Sequence, residues 1–291
     1  MSEILKINNL WGGYQEGVDI LRGISMEVQQ GEAVGIIGLN GSGKSTFGKA
    51  IMNMIPIRRG QIIFEGEDIT ALTTSQLSHR GISIMQQGGR VFPNLSVWDN
   101  LQLAAQAKNP QSAKANSQCP SSTAQSPKPI AHGSAPNVHG SVPNVQGSVS
   151  NVQRPQFRDH CSMDNVQWSM LAELVPLLRH SKKELQRKMA DKLSGGQKHQ
   201  LSLAMTLATN PRLVILDEPS AGLSPIAVEE MYQMLHTVRE TLGITIILIE
   251  QNIAKAVEYC DRSILIQQGN LVKVFLERET YEIEKFMFRK E

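Results

Sequence analysis

The sequence lacks the features that would place it within a membrane or in an oxidising compartment. No stretch of its 291 residues approaches the ~18 uninterrupted apolar residues that are needed to cross a bilayer. Its three cysteines are scattered, without C-x-x-C spacing, and are typical of reduced thiols. The amino terminus shows no charged segment followed by an apolar one, as a secretion signal would. We expect a cytoplasmic protein that reaches a membrane only through partners.

Basic and aromatic residues are too few and too scattered to indicate a nucleic-acid partner. The formal net charge is +2, and aromatic residues make up 5% of the chain. No run of lysine and arginine carries interleaved aromatic side chains, the pattern that would bind phosphates and stack on bases. We therefore expect no nucleic-acid partner.

One region has no acidic residues. Residues 100–158 contain neither aspartate nor glutamate, but they contain seven of the 13 prolines. A heptapeptide of the form G-S-x-x-N-V-x begins at Gly133 and runs three times in succession. Its glycine and proline exclude a coiled coil, and its few large apolar side chains cannot offset the entropy lost on ordering. We predict a disordered insertion over residues 108–157.

The most informative stretch is residues 34–46, in which an apolar run breaks into a glycine-rich turn and then a helix-compatible segment. Gly38 to Ser45 fit G-x-x-x-x-G-K-[ST], the phosphate-binding loop. In such a loop successive N–H groups point at an anion, Lys44 reaches the β- and γ-phosphates, and the Ser45 hydroxyl binds Mg²⁺. A plain glycine-rich turn is the alternative, which the flanking strand and helix disfavour. The predicted nucleotide-binding residues of the loop are Gly38, Asn40, Gly41, Ser42, Gly43, Lys44, Ser45 and Thr46.

The hydrophobic pattern predicts an α/β fold. Apolar and polar residues alternate over residues 3–10 and 20–28, which predicts antiparallel strands with one wet face. Further along, short apolar runs alternate with helical stretches, which predicts a mostly parallel core sheet covered on both faces. Other strands are predicted at residues 61–64, 213–219, 244–249, 263–267 and 271–275, with one more beginning at Ile82. Helices are predicted at residues 45–55, 72–80, 97–107, 166–178, 201–208 and 279–288, and from Pro225 to about Thr241.

Carboxylates and an amide follow two of these strands. Asp217 and Glu218 end one apolar run, and Gln251 follows another. Because ligands lie at the carboxyl ends of the strands in such sheets, we expect these side chains to meet the loop at Gly38. Asp217 is expected to hold Mg²⁺ through water, while Glu218 orients the attacking water and accepts its proton. An acidic turn after a core strand is the alternative.

Residues Leu193 to Gln197 read Leu-Ser-Gly-Gly-Gln and resemble the signature motif of ATP-binding cassette (ABC) ATPases. Taken alone, Ser194 could be an ordinary helix N-cap. The order of phosphate loop, glutamine, signature, Leu-Asp-Glu-Pro and Gly-Leu turn is that of the family over nearly the whole chain outside 108–157. The resemblance implies a P-loop NTPase fold, with residues 1–291 as a single ABC ATPase domain. Residues 96–209 would form its helical subdomain and signature region.

The resemblance also implies roles for single residues. Tyr14 resembles the aromatic residue that stacks on adenine, and Gln87 resembles the glutamine that senses Mg²⁺ and contacts the membrane partner. A second ATPase subunit, homologous or identical, would pair head to tail with this one. Its ATP would be contacted by Ser194, Gly195, Gly196 and Gln197. The implied catalytic residues are Glu218, Lys44 and Gln251, and the implied metal-binding residues are Ser45, Gln87 and Asp217.

Two positions depart from the family pattern. Gln251 stands where the switch histidine is expected, and Ser224 stands at the acidic position of the Gly-Leu-Asp turn. The first departure removes a titratable group beside the γ-phosphate, so that either turnover is slower or Gln251 only hydrogen-bonds the phosphate. Both departures resemble the branch that imports branched-chain amino acids and urea, as does the segment from Arg90 to Leu95. This resemblance implies an ATPase on the cytoplasmic face of the cell membrane. Its direct partners would be integral-membrane permease subunits, and its indirect partner a solute-binding protein.

Two other functions are kept open by the sequence. One is a soluble ABC-type ATPase of translation or DNA repair, although such proteins typically carry two cassettes or a long coiled-coil insertion. The other is a regulatory nucleotide-binding subunit with little turnover, which is favoured only by Gln251. The presence of Lys44, Asp217 and Glu218 argues against the second.

Overall fold

The computed structural model of the chain describes residues 2–106 and 165–276. The predicted insertion at 108–157 and the predicted helix at 279–288 lie outside the described residues. No helix of the described ranges is both long and apolar enough to cross a membrane.

An antiparallel sheet forms the amino-terminal part of the fold. Its strands are β1 (Glu3–Gly12), β2 (Leu21–Gln29), β4 (Ile57–Phe64) and β5 (Glu67–Asp68), in the order β2-β1-β4-β5. Each neighbouring pair is antiparallel, as alternation in the sequence predicted for β1 and β2. The two-residue strand β5 carried no signal in the sequence, because both of its residues are exposed acids.

The second sheet is mostly parallel and forms the core. Its strands are β3 (Ala33–Ile37), β6 (Ile82–Met85), β7 (Leu213–Asp217), β8 (Thr245–Ile249), β9 (Arg262–Gln267) and β10 (Asn270–Leu276). The order is β10-β9-β3-β8-β7-β6, and only the edge strand β10 runs antiparallel to its neighbour. Every residue of β3, β7 and β8 is buried, which explains why these strands read as continuous apolar runs. The prediction of a mostly parallel core sheet beside an antiparallel sheet is confirmed.

The described α-helices pack around the core sheet. They are α1 (Lys44–Ile51), α2 (Thr74–His79), α3 (Val97–Gln106), α4 (Asn165–Leu174), α5 (Lys182–Arg187), α6 (Gly195–Leu207), α7 (Pro225–Leu242) and α8 (Ile253–Tyr259). One apolar cluster joins α3, α4, α6 and α7 to one face of the core sheet, and a second joins α1 to its other face and to the antiparallel sheet.

Two predicted helices are too long. The helix predicted at 45–55 ends at Ile51, because Asn53 takes a left-handed conformation (φ +50°) and its side-chain amide bonds to the carbonyls that precede α2. The helix predicted at 166–178 ends at Leu174, because Pro176 cannot continue the helical hydrogen bonding and instead begins a 3-10 turn. Helices α5 and α8 were not predicted at all.

Candidate functional site

A polar cavity of about 350 Å³ opens at the carboxyl edge of the core sheet. We call it the phosphate-loop cavity. The loops that follow β3, β6, β7 and β8 all contribute to it, as the strand-end argument predicted. Its lining residues are Ile20, Asn40, Gly41, Gly43, Lys44, Ser45, Thr46, Gln87, Glu218 and Gln251.

The turn between β3 and α1 has the backbone of an anion-binding loop. Gly38 lies against the neighbouring strand β9, where an added Cβ would stand 2.3 Å from the carbonyl oxygen of Ile266. Gly43 is the N-cap of α1 with φ +105°, and in the described chain no side chain caps this helix. The first N–H groups of α1 are therefore left for a ligand, and the positive end of the helix dipole favours an anion there.

Lys44 is held inside the cavity as a buried cation. Its side chain is 4% exposed, and its Nζ donates hydrogen bonds to the carbonyls of Gly38 (2.9 Å) and Leu39 (3.0 Å). Burial lowers the pKa of Lys44, against the opposing effect of the carboxylates of Glu218, Asp217 and Glu250. An ammonium group that is bonded to neutral carbonyls in a dry site would gain strongly from a phosphate.

Ser45 and Asp217 come together at the ends of α1 and β7. The Ser45 hydroxyl donates a hydrogen bond of 2.8 Å to Oδ1 of Asp217, which is 3% exposed. Burial raises the pKa of Asp217, and the bond from Ser45 lowers it. A hydroxyl and a carboxylate at this separation are oxygen ligands of the kind that Mg²⁺ prefers.

Glu218 lies at the centre of the cavity between two amides. Gln87 and Gln251 donate side-chain hydrogen bonds to different oxygens of its carboxylate. Its backbone is left-handed (φ +49°), and its N–H donates to the carbonyl of Ile249 on β8. The strained backbone and the two amides fix the carboxylate in place and leave each of its oxygens a lone pair for a proton.

Glu250, to which the sequence analysis assigned no role, organises the loop of Gln251. Glu250 is 2% exposed, accepts a hydrogen bond of 2.7 Å from the Ser220 hydroxyl, and accepts bonds from the N–H groups of Gln251 and Asn252. It thereby ties the end of β8 to the turn after Glu218. A glutamate directly after a buried strand was the available signal.

Tyr14 lies at the margin of this arrangement. It is 51% exposed and does not line the phosphate-loop cavity, although the Lys49 ammonium of α1 donates a 3.3 Å hydrogen bond to its hydroxyl and lies over its ring. An exposed ring beside the last turn of α1 is accessible to a base, but nothing in the cavity itself positions it there.

The signature residues lie in a different cavity, of about 570 Å³, which we call the signature cavity. Ser194 caps α6, and its hydroxyl accepts the N–H of Gln197 at 3.2 Å while the Gln197 side chain accepts the N–H of Ser194. The helix-cap reading is therefore correct for the isolated chain. Ser194 and Gly195 are nonetheless exposed, and the turn Gly222–Ser224 lines the same cavity.

The residues of the phosphate-loop cavity fit a nucleoside triphosphate with Mg²⁺. Besides Lys44, the Ser42 hydroxyl is buried and has no hydrogen-bond partner among residues 2–106 and 165–276. Such a group costs free energy unless a ligand or water satisfies it. The cavity therefore has a buried cation and free helix N–H groups in one place, with Asp217 bonded to its Ser45. The Ser42 hydroxyl belongs to the same loop but does not line the cavity.

Comparison with known proteins gives the same assignment. BraG of Pseudomonas aeruginosa, a high-affinity branched-chain amino acid transport ATP-binding protein, is 27% identical over 89% of this chain and 87% of its own length. LptB of Escherichia coli, a lipopolysaccharide export system ATP-binding protein, is 26% identical over 92% of this chain and 88% of its own. LivF of Archaeoglobus fulgidus, a probable branched-chain amino acid transport ATP-binding protein, is 26% identical over 97% and 96%.

Two solved structures share the fold. The ADP conformation of the ATP-binding cassette MJ1267 superposes with a TM-score of 0.70 at 22% identity, covering 99% of this chain and 95% of that one. A dimeric post-hydrolysis structure of the cassette MJ0796, bound to ADP and Pi, gives a TM-score of 0.66 at 20% identity, covering 94% and 98%. These likenesses confirm the P-loop NTPase fold of an ABC cassette.

The family model described as ABC transporter matches residues 21–221, which is more than half of the chain and includes the phosphate loop, the signature and Asp217–Glu218. The chain therefore belongs to the ABC transporter family, in which it is an ATPase subunit.

Proposed function

We propose that this chain is the ATP-hydrolysing subunit of an importer for branched-chain amino acids or for urea and other amides. The observation that supports this most is the arrangement of Lys44, Ser45, Glu218 and Gln251 around one cavity, with Asp217 bonded to Ser45 behind it. The whole of residues 1–291 would act as one ABC ATPase domain, with residues 96–209 as its helical subdomain.

The phosphate loop would bind ATP from one side. The N–H groups of the loop and of the first turn of α1 point at the β- and γ-phosphates, and Lys44 exchanges its bonds to Gly38 and Leu39 for phosphate oxygens. Tyr14 would stack on the adenine from its exposed position beside α1. Ser45, Asp217 and Gln87 would hold Mg²⁺, which neutralises developing charge on the phosphates when it is bound.

Glu218 would act as the general base. Its carboxylate takes a proton from water as the water oxygen bonds to the γ-phosphorus, and the bond between that phosphorus and the β,γ-bridging oxygen breaks to release ADP and phosphate. Gln251 holds the carboxylate by a hydrogen bond and supplies no proton at neutral pH, because an amide does not titrate. Replacement of the switch histidine by Gln251 would therefore change how the Glu218 carboxylate is positioned, while the general base itself is present.

The signature turn would act on ATP that is held by a second subunit. It lies in its own cavity and carries no basic group of its own among Ser194–Gln197, so it cannot replace the phosphate loop. Exposed N–H groups at the start of α6 can complete a phosphate site that a partner provides. A head-to-tail pair, of identical or homologous subunits, would place each signature turn over the other subunit's ATP.

Branched-chain amino acids or amides are proposed as the solute on the similarity to BraG and LivF, and on the motifs at Arg90–Leu95 and Gln251. Permease subunits embedded in the cell membrane would be its direct partners and would hold it at the cytoplasmic face, and a solute-binding protein would act upstream. The second candidate is export of a lipid-linked glycan, because LptB is as similar as BraG and LivF.

Two measurements test the proposal. In membranes of the native host, a tagged chain should co-purify with integral-membrane subunits, and uptake of labelled leucine, valine or urea should be lost with Glu218→Gln. Purified Glu218→Gln should hydrolyse ATP about 10²- to 10⁴-fold more slowly than wild type, which is the usual contribution of a general base, while it still binds ATP. Intact uptake of these solutes with impaired lipopolysaccharide export would select the second candidate. Equal turnover in both proteins would reject Glu218 as the base.

A further inference from the structure

The loop that follows Gln87 comes close to the signature helix α6 at one of its two glycines. Gly88 and Gly89 are both left-handed, with φ +84° and +57°. Gly88 is exposed, and an added Cβ there would meet nothing within 4 Å. Gly89 is buried, and an added Cβ would lie 3.0 Å from both the backbone nitrogen and Nδ1 of His199 on α6. The loop is therefore in contact with the helix only on the Gly89 side of this pair.

His199 connects that contact to the signature turn. Its side chain is 5% exposed, and Nδ1 lies 3.0 Å from the carbonyl oxygen of Gly195. A carbonyl can only accept, so Nδ1 carries the proton and donates it. The other ring nitrogen, Nε2, is buried without a hydrogen-bond partner in the part of the chain that the structure describes. The imidazole thus lies between the Gln87 loop on one side and Gly195 of the signature on the other.

A second set of hydrogen bonds ties the same two segments together. Asn100 of α3 is fully buried and bonds to both the N–H and the carbonyl of Phe92, which lies further along the Gln87 loop. The carbonyl of Leu95 accepts the N–H of Ala190, and the carbonyl of Pro93 accepts the N–H of Asp191, two residues before Leu193. These hydrogen bonds join the loop after Gln87 to the segment that leads into the signature.

We propose that His199 is a positioning residue that transmits the state of Gln87 to the signature turn. The inference rests on the proposed function, in which Gln87 serves the chain's own ATP and Ser194–Gln197 serve a partner's. Exchange of Glu218 for ligand at Gln87 would be passed to Gly88 and Gly89, and Gly89 lies so close to α6 that a Cβ built on it stands 3.0 Å from the ring and backbone nitrogens of His199. A shift of Gly89 toward α6 would therefore displace His199. Displacing His199 alters the hydrogen bond at the Gly195 carbonyl, and this changes the orientation of the signature turn. The unpaired Nε2 makes the present ring position unfavourable, so that a modest shift is sufficient to change it.

The experiment compares substitutions at the two glycines. Gly88→Ala and Gly89→Ala impose a similar left-handed strain, but only the second methyl group meets His199. In wild type, Gly89→Ala should lower kcat by about 3- to 30-fold, which is the usual range for residues that carry coupling between sites. The affinity of the isolated subunit for ATP should stay within about twofold, since coupling residues need touch neither ligand. Gly88→Ala should change kcat by less than Gly89→Ala does.

The imidazole is tested from the other side. His199→Leu should reproduce the loss of kcat and, in the Glu218→Gln background, weaken pairing in Mg-ATP, whereas His199→Asn retains a donor near the position of Nδ1 and should recover most of both. If the role of His199 were purely structural, substitution would lower the melting temperature. His199→Leu and His199→Asn would then have the same kcat when compared at equal folded fractions. If His199→Leu does not fold, the glycine pair decides the outcome.

The failure of this inference is distinguishable from failure of the proposed function. If Glu218→Gln with native His199 never pairs with any subunit in Mg-ATP, the proposed function fails and the inference fails with it. If that parent pairs, and Gly89→Ala and His199→Leu pair and turn over as well as their controls, only the inference is overturned.

Discussion

The starts of α1 and α6 are both glycine-rich helix N-termini, yet they are satisfied in different ways. The start of α1 is capped by Gly43, without a side-chain bond in the described chain, and a buried lysine lies beside it. The start of α6 is capped by Ser194 in a reciprocal capping box with Gln197, and the turn is exposed. The first terminus is left for an anion, whereas at the second the capping box already satisfies the N–H groups of Ser194 and Gln197.

Under the proposed function, this difference would explain how one chain contacts two ATP molecules in different ways, its own through the phosphate loop and its partner's through the signature turn. A site that buries the Lys44 ammonium among neutral carbonyls and leaves helix N–H groups uncapped gains free energy from a single phosphate group even in an isolated subunit. A helix start that is already capped gains little free energy from a phosphate, unless another subunit already holds that phosphate in place. The phosphate loop should therefore bind first, and the signature turn should act only in a pair.

The largest expected effect is at Lys44. Lys44→Ala should weaken ATP binding by the isolated chain more than about 100-fold, because it removes two charge-assisted hydrogen bonds of roughly 1.5–3 kcal/mol each. Isothermal titration with a non-hydrolysable ATP analogue measures this. Lys6→Ala, which removes an exposed lysine paired with Glu27 on β2, is the matched control and should bind normally. Unchanged affinity in Lys44→Ala would overturn the phosphate-loop assignment.

The next effect separates the two helix starts. Ser194→Ala should leave ATP binding by the isolated chain unchanged but reduce turnover about 10- to 100-fold, the value of one hydrogen bond to a charged group. It should also cost about 1 kcal/mol of stability as a lost helix cap. Thr73→Ala removes the same type of capping box from α2 and should cost similar stability with normal turnover. Equal turnover in Ser194→Ala and Thr73→Ala would contradict a role of the signature turn in ATP hydrolysis.

A smaller effect is expected at the edge of the phosphate-loop cavity. Tyr14→Leu should raise KM for ATP by about 5-fold with little change in kcat, because ring stacking on a base is worth roughly 1–3 kcal/mol and Tyr14 is half exposed. Tyr14→Phe loses only the hydroxyl that Lys49 contacts and should behave as wild type. If Leu and Phe give the same KM as wild type, another residue holds the base.

The smallest effect concerns stability and pH. Burial raises the pKa of Asp217 above 3.8, so the folded protein binds this proton more tightly than the unfolded chain does. The free energy of unfolding therefore falls as pH rises above 3.8, and the loss is complete once the folded carboxyl has ionised. Without nucleotide, Asp217→Asn should be more stable than wild type at pH 7, with the difference shrinking toward pH 4. The difference in free energy of unfolding between Ser194→Ala and wild type should not depend on pH, since neither Ser194 nor its partner Gln197 titrates. Urea unfolding at several pH values measures this. If burial did not raise the pKa of Asp217, the difference in free energy of unfolding between Asp217→Asn and wild type would be the same at every pH.

Features carried by local patterns were predictable from the sequence. The phosphate loop is recognisable because glycine, lysine and serine stand at fixed spacing after an apolar strand, and the strand-end argument correctly brings Glu218 and Gln251 together. The helix boundaries were less accessible, because Asn53 ends α1 through bonds to a distant loop that no local pattern specifies.

Residues whose roles depend on long-range contacts were missed. Glu250 acquires its role only because Ser220 lies beside it, 30 positions away in the sequence. His199 was overlooked because a histidine on a helix gives no sign of what packs against it, and its contact is a glycine 110 positions earlier. Helix α8 was not predicted, because its N-cap Asn252 follows directly on the strand-end residues.

The most direct test of the account is the mass of the Glu218→Gln chain in saturating Mg-ATP, measured by sedimentation. The account predicts that a 32.1 kDa subunit is converted, alone or with a homologous ATPase subunit that co-purifies with it, into a pair of about twice that mass. The pair should dissociate when nucleotide is removed and should be weakened by Ser194→Ala but not by Thr73→Ala. A chain that binds ATP and stays at 32.1 kDa in every such mixture would contradict it.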